Sequence, residues 1–431
     1  MRNRTEELYR LFLRSPKIVT DSREKQNGGG IFFALKGERF DGNLFAAKAL
    51  ENGAQYAVVD NPEVVTDDCY FVVENALFAL QDLARMHREK FKIPVFALTG
   101  TNGKTTTKEL IRAVLSEKYE TLATTGNLNN HIGVPLTLLK LTPTTQIAVI
   151  EMGANHQGEI KTLCDIALPT HGLITNIGKA HLEGFGNEEG LKKAKKELYD
   201  HLEQHGGTIF YHDTDTVLTD MLATSQATTI PYGSSCRDIT PSTTPYLRIA
   251  LNICRTDYDL QTQLAGAYNL ENVLAAACVG NYFGVPPASV VSAIAGYLPQ
   301  NNRSQIIRTE RNSLLLDLYN ANPASMKAAL ANFLERMSGN RMAILGDMFE
   351  LGEASPSEHC AVMDMLVAHP EVTAAVTGKN FMQAAKHYPG VPAFEDVETL
   401  KKWLINHPPN QQTILVKASR GMKLEQILEL L

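Results

Sequence analysis

A glycine-bearing loop at residues 99–107 has the residue types of a nucleotide-phosphate site. It reads Thr-Gly-Thr-Asn-Gly-Lys-Thr-Thr-Thr and follows the apolar run 95–98. Phosphate oxygens would meet backbone N–H groups at the N-terminus of the helix that follows, where the helix macrodipole favours negative charge. Lys104 would reach the terminal phosphates, and the Thr105 hydroxyl would bind Mg²⁺. The loop therefore predicts a nucleotide-binding site.

The helix predicted after the loop supports this interpretation. Its inward positions recur at i, i+3, i+4, i+7 and i+8, and they are Thr107, Leu110, Ile111, Val114 and Leu115. The match to the general pattern G-x-x-x-x-G-K-[ST] is partial, because the first glycine would fall on Leu98. A Gly-Lys-Thr triplet can also occur in an ordinary loop, but the strand and helix on either side favour the phosphate site.

Two further side chains follow predicted strands. Glu151 comes directly after the apolar run 147–150, and His181 lies just past the strand predicted at 172–175. A carboxylate at this position of a phosphate-loop domain can hold Mg²⁺, although an acid can also end a strand at the surface without a further role. His181 could supply an imidazole to the same cluster, but a lone histidine is more often structural.

The helix predicted at 190–202 contains four lysines, which a solvated basic face would explain. At about 100° per residue it also has an apolar face formed by Leu191, Ala194, Leu198 and Leu202. Lys195 lies within the arc of that face, whereas Lys192, Lys193 and Lys196 lie outside it. Because burial disfavours the ammonium form, an inward lysine can react as a neutral amine with CO₂. The resulting carbamate could bind a metal ion.

Length and composition limit the class of protein. The chain has 431 residues, more than one hydrophobic core normally holds, which predicts about three domains. Its 41 basic and 47 acidic residues give a net charge of -6, which argues against a nucleic-acid-binding surface. Six cysteines without a C-x-x-C pair are typical of a cytosolic enzyme. With no apolar run long enough for a signal or a membrane helix, we expect a cytoplasmic protein without membrane insertion.

Strand and helix patterns alternate and divide the chain into three α/β domains. We expect a small α/β domain at 1–85, a central parallel sheet of the P-loop ATPase type at 86–297, and a Rossmann-like, doubly wound domain at 298–431. The predicted strands are 30–35, 56–60, 70–73, 95–98, 147–150, 172–175, 313–316, 341–345, 372–377 and 413–416. The predicted helices include 44–52, 188–204 and 323–337. Residues 240–245 are interpreted as a surface connection and 298–302 as a linker.

Taken together, the segments that carry chemistry resemble the Mur ligases. The matching runs are 99–109, 126–135, 151–153, 175–181, 194–197, 266–272, 319–323, 345–352 and 416–420. The most specific are Gly-Asn-Leu-Asn-Asn at 126–130 and Tyr-Asn-Ala-Asn-Pro at 319–323, which sister ligases that add diaminopimelate or lysine lack. The resemblance extends over nearly the whole chain, whereas folylpolyglutamate synthetases share little beyond the phosphate loop.

The resemblance implies an ATP-dependent amide ligase that uses Mg²⁺. It would join D-alanyl-D-alanine to UDP-N-acetylmuramoyl-tripeptide, whose third residue is diaminopimelate or lysine, through an acyl phosphate in cytoplasmic peptidoglycan synthesis. The enzyme would be a monomer. Two alternatives are another amino-acid ligase of the family and a catalytically silent binding protein on the same scaffold. The second is disfavoured by the joint presence of Lys104, Thr105, Glu151, His181 and Lys195.

The resemblance also implies roles for the nucleotide and metal residues. The ATP phosphates would contact the loop residues Thr99, Gly100, Thr101, Asn102, Gly103, Lys104, Thr105 and Thr106. Thr105 and Glu151 would hold a first Mg²⁺, and Glu151, His181 and carbamylated Lys195 a second. Lys104, Glu151, His181 and Lys195 are thus the implied catalytic residues. Asn269 and Asn272 would lie near the adenine, and Arg303 and Asp317 would reach the nucleotide when the third domain closes.

The residues implied to bind the other substrates fall in all three domains. The uridine-binding positions of the first domain are Asp21, Ser22, Arg23, Lys36, Gly37 and Asp41. Asn129 and Asn130 would lie on the substrate side of the γ-phosphate, and Tyr319, Asn320 and Asn322 would recognise the acceptor. Three departures from the family pattern, at Leu316, Asn302 and Ala418, weaken the expected contacts of the third domain but not the metal cluster.

Overall fold

Three sheets, each flanked by helices, follow one another along the chain. A computed structural model describes residues 2–25, 29–178, 182–234, 236–239, 245–300 and 302–431. The sheets have four, six and six strands, and a separate three-stranded sheet and a two-stranded hairpin complete the strand pairing. The predicted α/β class with three domains is therefore confirmed, while the domain bounds near 85 and 297 stay a prediction.

The first unit is a parallel sheet with helices packed against it. Its sheet has the order β1-β2-β5-β6, and the short hairpin β3–β4 stands apart from it. The strands are β1 Ile18–Val19, β2 Ile31–Phe33, β3 Lys36–Gly37, β4 Phe40–Asp41, β5 Tyr56–Val59 and β6 Tyr70–Val72. The helices are α1 Arg2–Arg14, α2 Ala46–Glu51 and α3 Ala76–Glu89. The strands predicted at 30–35, 56–60 and 70–73 are confirmed with shorter bounds.

The central unit is built on a six-stranded parallel sheet of order β12-β11-β10-β7-β9-β8. Its strands are β7 Val95–Thr99, β8 Thr121–Ala123, β9 Ile147–Glu151, β10 His171–Ile174, β11 Thr208–His212 and β12 Thr228–Tyr232. Its helices are α4 Lys104–Ser116, α5 Gly133–Leu138, α6 Glu159–Ala167, α7 Leu182–Phe185, α8 Glu188–Gln204, α9 Thr216–Leu222, α10 Leu270–Tyr282 and α11 Pro287–Gly296. Because β7 lies between β9 and β10, the carboxyl ends of these three strands meet at one edge of the sheet.

An antiparallel sheet in the central unit was not predicted. It contains β13 Cys236–Asp238, β14 Tyr246–Ile253 and β15 Thr256–Ala265. The interpretation of 240–245 as a surface connection falls almost entirely on residues 240–244, which lie outside the described residues. The predicted alternation of strands and helices is therefore interrupted here by two long neighbouring strands.

The two faces of this antiparallel sheet differ in character. Alternate residues of β14, namely Leu247, Ile249 and Leu251, belong to the same hydrophobic core as α10 and α11. On the other face, Arg248 and Asp259 form an ion pair between β14 and β15. One face of the sheet therefore covers helices of the central unit, and the other carries charged side chains.

The third unit is a doubly wound sheet of order β16-β17-β21-β18-β19-β20. Its strands are β16 Gln305–Arg308, β17 Ser313–Asp317, β18 Arg341–Gly346, β19 Val372–Thr377, β20 Ala393–Phe394 and β21 Thr413–Lys417. Its helices are α12 Pro323–Arg336, α13 Ser355–Val367, α14 Lys379–Ala385 and α15 Val397–Asn406. Edge strand β16, which the sequence did not predict, is antiparallel to β17, and the other pairings are parallel.

Separate hydrophobic cores lie on the two faces of the third sheet. Leu330, Phe333 and Phe381 belong to the core under α12, α13 and α14. Leu400 and Leu404 of α15 belong to the core on the opposite face. In a parallel sheet whose two faces are covered, ligands usually bind at the carboxyl ends of the strands. In the described part of the chain, no helix is both long and apolar enough to cross a bilayer.

Candidate active site

The loop after β7 has a backbone that requires glycine at two positions. Gly100 has φ +141°, and a Cβ there would lie 2.0 Å from Oγ1 of Thr175. Gly103 has φ +78°, and a Cβ there would lie 2.4 Å from Oδ1 of Asn272. L side chains rarely adopt such φ values, and the space beside both residues is filled. The loop is therefore fixed by packing against β10 and α10.

Hydrogen bonds from the segment after β10 hold the phosphate loop in place. The Asn102 N–H donates to Oδ1 of Asn176 at 3.0 Å, and the Thr101 N–H donates to the Asn176 carbonyl at 3.0 Å. The Thr175 hydroxyl donates to the Asn102 carbonyl at 2.6 Å. Neighbouring strands thus set the loop conformation before α4 begins at Lys104.

Lys104 bends back over its own loop. Its Nζ donates to the carbonyls of Gly100 and Thr101 at 2.7 and 2.9 Å. Burial lowers the pKa of its ammonium to about 8, and the charge of Glu151 opposes this shift. The ammonium therefore lies over the loop that leads into α4, and the N-terminus of that helix is where a phosphate would bind.

Glu151 and Thr105 form a pair of oxygen ligands at the adjoining strand end. Glu151 is 1% exposed, and its two carboxylate oxygens accept from the Thr105 hydroxyl at 2.9 and 3.1 Å. The amide of Asn129 donates to the same carboxylate at 2.8 Å. A hydroxyl and a carboxylate are the oxygen donors that Mg²⁺ prefers, so these residues fit that ion. In the described ranges, no three His, Cys, Asp or Glu side chains converge on a metal-sized point.

Lys108 is a buried charge that the sequence motifs did not indicate. Its side chain is fully buried, and its Nζ donates to the Thr124 carbonyl at 2.6 Å. The same atom lies 2.8 Å from Glu109 and 4.0 Å from Glu151. Its place one helical turn after Lys104 is a signal that could have indicated a second lysine near the phosphate loop. Lys108 thus places positive charge behind the Glu151 carboxylate.

Lys195 points inward from α8, as predicted. It is 2% exposed, and its Nζ lies 5.4 Å from the centre of the Phe185 ring. Burial, reinforced by the charge of Lys104, lowers the pKa of Lys195 to about 7. Lys193 is exposed, whereas Lys192 and Lys196 are partly exposed. His181, which was predicted to join this cluster, lies outside the described residues.

One large cavity, of about 1250 Å³, opens between the three units. The first unit contributes Leu77, Phe78 and Gln81 of α3 to its lining. The predicted residues that line it are Thr101, Asn102, Gly103, Lys104, Thr105, Thr106, Asn129, Asn130, Glu151, Asn269, Asn272, Arg303, Asp317, Tyr319, Asn320 and Asn322. The structure therefore brings the phosphate loop, Glu151 and residues of the third unit to one space.

Some predicted residues lie away from this cavity. Thr99 is fully buried in β7, and Gly100 packs against Thr175, so neither is among the lining residues that the structure describes. The first-unit positions also lie elsewhere: Asp21 pairs with Arg23, and Lys36 pairs with Asp60 at 2.8 Å. Ser22, Gly37 and Asp41 accompany them on the surface of that unit. The role of these residues in uridine binding stays a prediction.

Asn269 and Asn272 link the phosphate-loop helix to α10. The Thr107 hydroxyl donates to Oδ1 of Asn272 at 2.9 Å, and Nδ2 of Asn272 donates to Oδ1 of Asn269 at 2.9 Å. Nδ2 of Asn269 donates to the Ala265 carbonyl at 2.7 Å. These amides therefore position the wall of the cavity beside Gly103.

The third unit places Arg303 and Asp317 at the cavity through contacts of their own. The guanidinium carbon of Arg303 lies 3.3 Å from the centre of the Tyr319 ring. Asp317 forms an ion pair with buried Lys417. Asn322 reaches across the cavity, where its Nδ2 donates to Oδ1 of Asn102 at 2.8 Å. This hydrogen bond joins the third unit directly to the phosphate loop.

A phosphate loop between a parallel strand and a helix, with a buried carboxylate at the adjoining strand end, defines a nucleotide-binding protein of the P-loop class. Residues 98–280 match the Mur ligase middle domain, residues 302–420 the Mur ligase glutamate ligase domain, and residues 17–98 the Mur ligase catalytic domain. The chain belongs to the Mur ligase family. The resemblance predicted from its motifs is confirmed.

Relatives of known sequence and structure match almost the full chain. The UDP-N-acetylmuramoyl-tripeptide–D-alanyl-D-alanine ligase of Bacillus subtilis is 35% identical over 96% of this chain and 92% of its own. The crystal structure of MurF from Acinetobacter baumannii has a TM-score of 0.86 at 32% identity, over 96% of this chain and 92% of that chain. MurF ligase from Thermotoga maritima in complex with ADP has a TM-score of 0.84 at 27% identity, over 96% of both chains.

Proposed function

We propose that this chain is an ATP-dependent amide ligase that joins D-alanyl-D-alanine to UDP-N-acetylmuramoyl-tripeptide and releases ADP and phosphate. It acts as a monomer in cytoplasmic peptidoglycan synthesis, without nucleic acid or membrane insertion. The observation that carries the proposal is the large cavity in which the phosphate loop and Glu151 face the third unit. The relative from Bacillus subtilis, whose name states this reaction, supports it.

The phosphate loop binds and orients ATP in this proposal. The N–H groups at the start of α4 receive phosphate oxygens, and the Lys104 ammonium moves from its loop carbonyls to the terminal phosphates. Thr105 and Glu151 would hold Mg²⁺, which would offset negative charge on the transferring phosphoryl group. Asn129 and Lys108 keep the Glu151 carboxylate oriented.

Lys195 is the second metal residue in this proposal. Its burial and the neighbouring charge of Lys104 favour a neutral amine, which CO₂ converts to a carbamate. The carbamate oxygen, together with Glu151 and His181, would hold a second Mg²⁺. An unmodified ammonium at the same position would repel the ion.

The reaction proceeds in two steps. The C-terminal carboxylate of the tripeptide attacks the γ-phosphorus of ATP, so that an acyl phosphate forms and ADP leaves. The amine of D-alanyl-D-alanine then attacks the acyl carbon, and phosphate leaves with the electrons of the broken C–O bond. Asn129, Asn130, Tyr319, Asn320 and Asn322 line the large cavity. In this proposal, Asn129 and Asn130 face the tripeptide, and Tyr319, Asn320 and Asn322 recognise the acceptor. Closure of the third unit onto the loop would exclude the water that hydrolyses an acyl phosphate.

Measurement of phosphate release with different combinations of substrates tests this function. The enzyme is supplied with Mg²⁺-ATP and the nucleotide-linked tripeptide, and D-alanyl-D-alanine, L-alanyl-L-alanine, diaminopimelate or lysine is added in turn. We expect rapid release with D-alanyl-D-alanine alone among these amines, and a product whose mass is that of the pentapeptide. Release with diaminopimelate or lysine instead would identify another ligase of the family. No release with any amine would identify a silent binding protein.

A further inference from the structure

A second, smaller cavity lies within the third unit, at the carboxyl ends of β17, β18 and β21. Its volume is about 130 Å³. Asn320 and Asn322 line it after β17, Phe349 and Glu350 after β18, and Ser419 and Arg420 after β21. Carboxyl ends of parallel strands are the usual place for ligands in such sheets.

Hydrogen bonds tie the three loops around this small cavity together. The Phe349 N–H donates to the Ser419 hydroxyl at 3.0 Å, and that hydroxyl donates to the Ala321 carbonyl at 3.2 Å. The Met348 N–H donates to Nε2 of buried His359 at 3.1 Å. The wall that carries Glu350 is therefore held in position before any ligand binds.

Glu350 has a backbone conformation that is rare for a residue with a side chain. Its φ is +62°, and it lies between the buried residues Met348 and Leu351 in the loop. Non-glycine residues in this region persist where the surrounding structure fixes them, and they concentrate at functional sites. The loop thus presents an acidic side chain at a position where glycine would cost less.

Glu350 lies where the small cavity meets the large one. Glu350, Asn320 and Asn322 line both cavities. Among the described residues that line the small cavity, Glu350 and Arg420 are the charged ones. On the side of the large cavity, the charged residues of the third unit are Arg303, Asp317 and Lys417, together with Glu350 itself. A small cavity with one acidic and one basic side chain suits a small zwitterion.

We propose that Glu350 contacts the amine of the incoming dipeptide and accepts its proton, and that Arg420 binds the dipeptide's terminal carboxylate. This assignment rests on the function proposed above. The Glu350 carboxylate takes one proton from the ammonium group of the dipeptide, and the neutral nitrogen then forms the C–N bond to the acyl carbon while the C–O bond to phosphate breaks and the leaving phosphate takes the second proton. Glu350 then returns the proton to solvent. Because Glu350 lines both cavities, this base lies between the small cavity and the large cavity that contains the phosphate loop.

The substitution Glu350→Gln tests the base, because it keeps the shape of the side chain and removes its charge. We expect kcat/KM for D-alanyl-D-alanine to fall by about 10²- to 10³-fold, with partial recovery in Glu350→Asp. The loss should shrink between about pH 7 and pH 9, because the amine becomes neutral in that range. Glu353→Gln, which changes the charge of an exposed residue in the same loop, is the matched control and should stay within about twofold of the parent.

Hydroxylamine separates this role from a structural one. It is a small nucleophile that intercepts acyl phosphates without a dipeptide site, so acyl hydroxamate should form at the parent rate in Glu350→Gln. If hydroxamate formation falls together with ligation, Glu350 supports the fold or the first step, and the proposal is overturned. Equal ligation by Glu350→Gln and the parent enzyme also overturns it.

D-alanyl-D-alaninamide, which lacks the terminal carboxylate, tests Arg420. The parent enzyme should prefer the free acid by about 10- to 100-fold in kcat/KM, and Arg420→Met should lose this preference. A preference retained by Arg420→Met would contradict the assignment. If the parent enzyme ligates a different amine, the proposed function is wrong. The role of Glu350 as a base can then still be tested with that amine, by comparing ligation and hydroxamate formation in Glu350→Gln and the parent enzyme.

Discussion

The phosphate end and the proposed acceptor end of the candidate active site are built differently. At the phosphate end, glycines without room for a side chain and buried Glu151, Thr105 and Lys108 fix each group by short hydrogen bonds. At the acceptor end, Glu350 and Arg420 are exposed and lie on loops from different strands. The buried end suits a phosphoryl transfer, which needs charges held in fixed positions. In the proposed function, the exposed end is where the amine would be selected.

The largest expected effect concerns Lys104, which in the proposed function acts only at the phosphate end. Lys104→Ala should reduce turnover by at least about 10³-fold, because its charge at the terminal phosphates is lost. Calorimetry with UDP-N-acetylmuramoyl-tripeptide alone should show nearly unchanged affinity, with exposed Lys140→Ala as the control. Loss of that binding would mean that the phosphate and uridine sites are not separate.

Removal of the Lys195 side chain should have the next largest effect. Lys195→Ala should lose about 10²- to 10³-fold in kcat, because the proposed metal ligand is removed, and millimolar formate or acetate should restore part of the activity. Circular dichroism should show an intact fold. Lys193→Ala is the matched control, because Lys193 is exposed on the same helix, and Lys192→Ala should also be nearly silent. If Lys195→Ala is as active as the parent enzyme, the carbamate assignment is wrong and the lysines of α8 form only a basic face.

Two glycine substitutions compare packing at the two ends directly. Gly100→Ala should destabilise the central unit by more than about 3 kcal/mol, because its Cβ would collide with Thr175 and its φ is +141°. Gly352→Ala should cost only about 1 kcal/mol, because its φ is +52° but no described atom lies within 4 Å of the added Cβ. Thermal unfolding of both variants measures the difference. Equal losses would mean that the acceptor loop is packed as tightly as the phosphate loop.

The smallest expected effect is a dependence of stability on pH. Burial, with the charge of His205, lowers the pKa of His201 on α8 to about 4 from its ordinary 6.5. The unfolded chain therefore takes up a proton at this residue first, so stability is full above pH 6.5 and falls as pH decreases from 6.5 toward 4. In the parent protein, the free energy of unfolding should fall by up to about 1 kcal/mol per pH unit in this range. His201→Gln should abolish this fall, as measured by thermal unfolding at several pH values. His387→Gln, at an exposed position, should leave the slope unchanged.

Local patterns made the phosphate end predictable from the sequence. The loop, Glu151 and Lys195 each follow from a short run of residues, because a strand end or a helical period decides where the side chain points. Lys195 is buried as its position in α8 predicted. Lys108 was missed, since its partners Thr124 and Glu151 lie at the ends of β8 and β9, which only the fold brings near.

The acceptor end could not be predicted in the same way. Glu350 and Arg420 lie about 70 positions apart and meet only when β18 and β21 pair in the sheet. The sequence gives no sign of the left-handed φ of Glu350, because the glycine that would indicate such a φ stands two positions later, at Gly352. The antiparallel sheet β13–β15 was missed for a related reason, because its pairing joins strands across the turn at Cys254 and Arg255, neither of which is a typical turn residue.

Asn322 shows how two demands can limit one position to a single amino acid. Its Oδ1 accepts the Ser325 N–H and caps the start of α12, while its Nδ2 donates to Asn102 in the phosphate loop. Aspartate could cap the helix but has no proton to donate, and serine could cap it but is too short to span the cavity. An amide satisfies both, so a change of Asn322 would alter the start of α12 or its link to the phosphate loop.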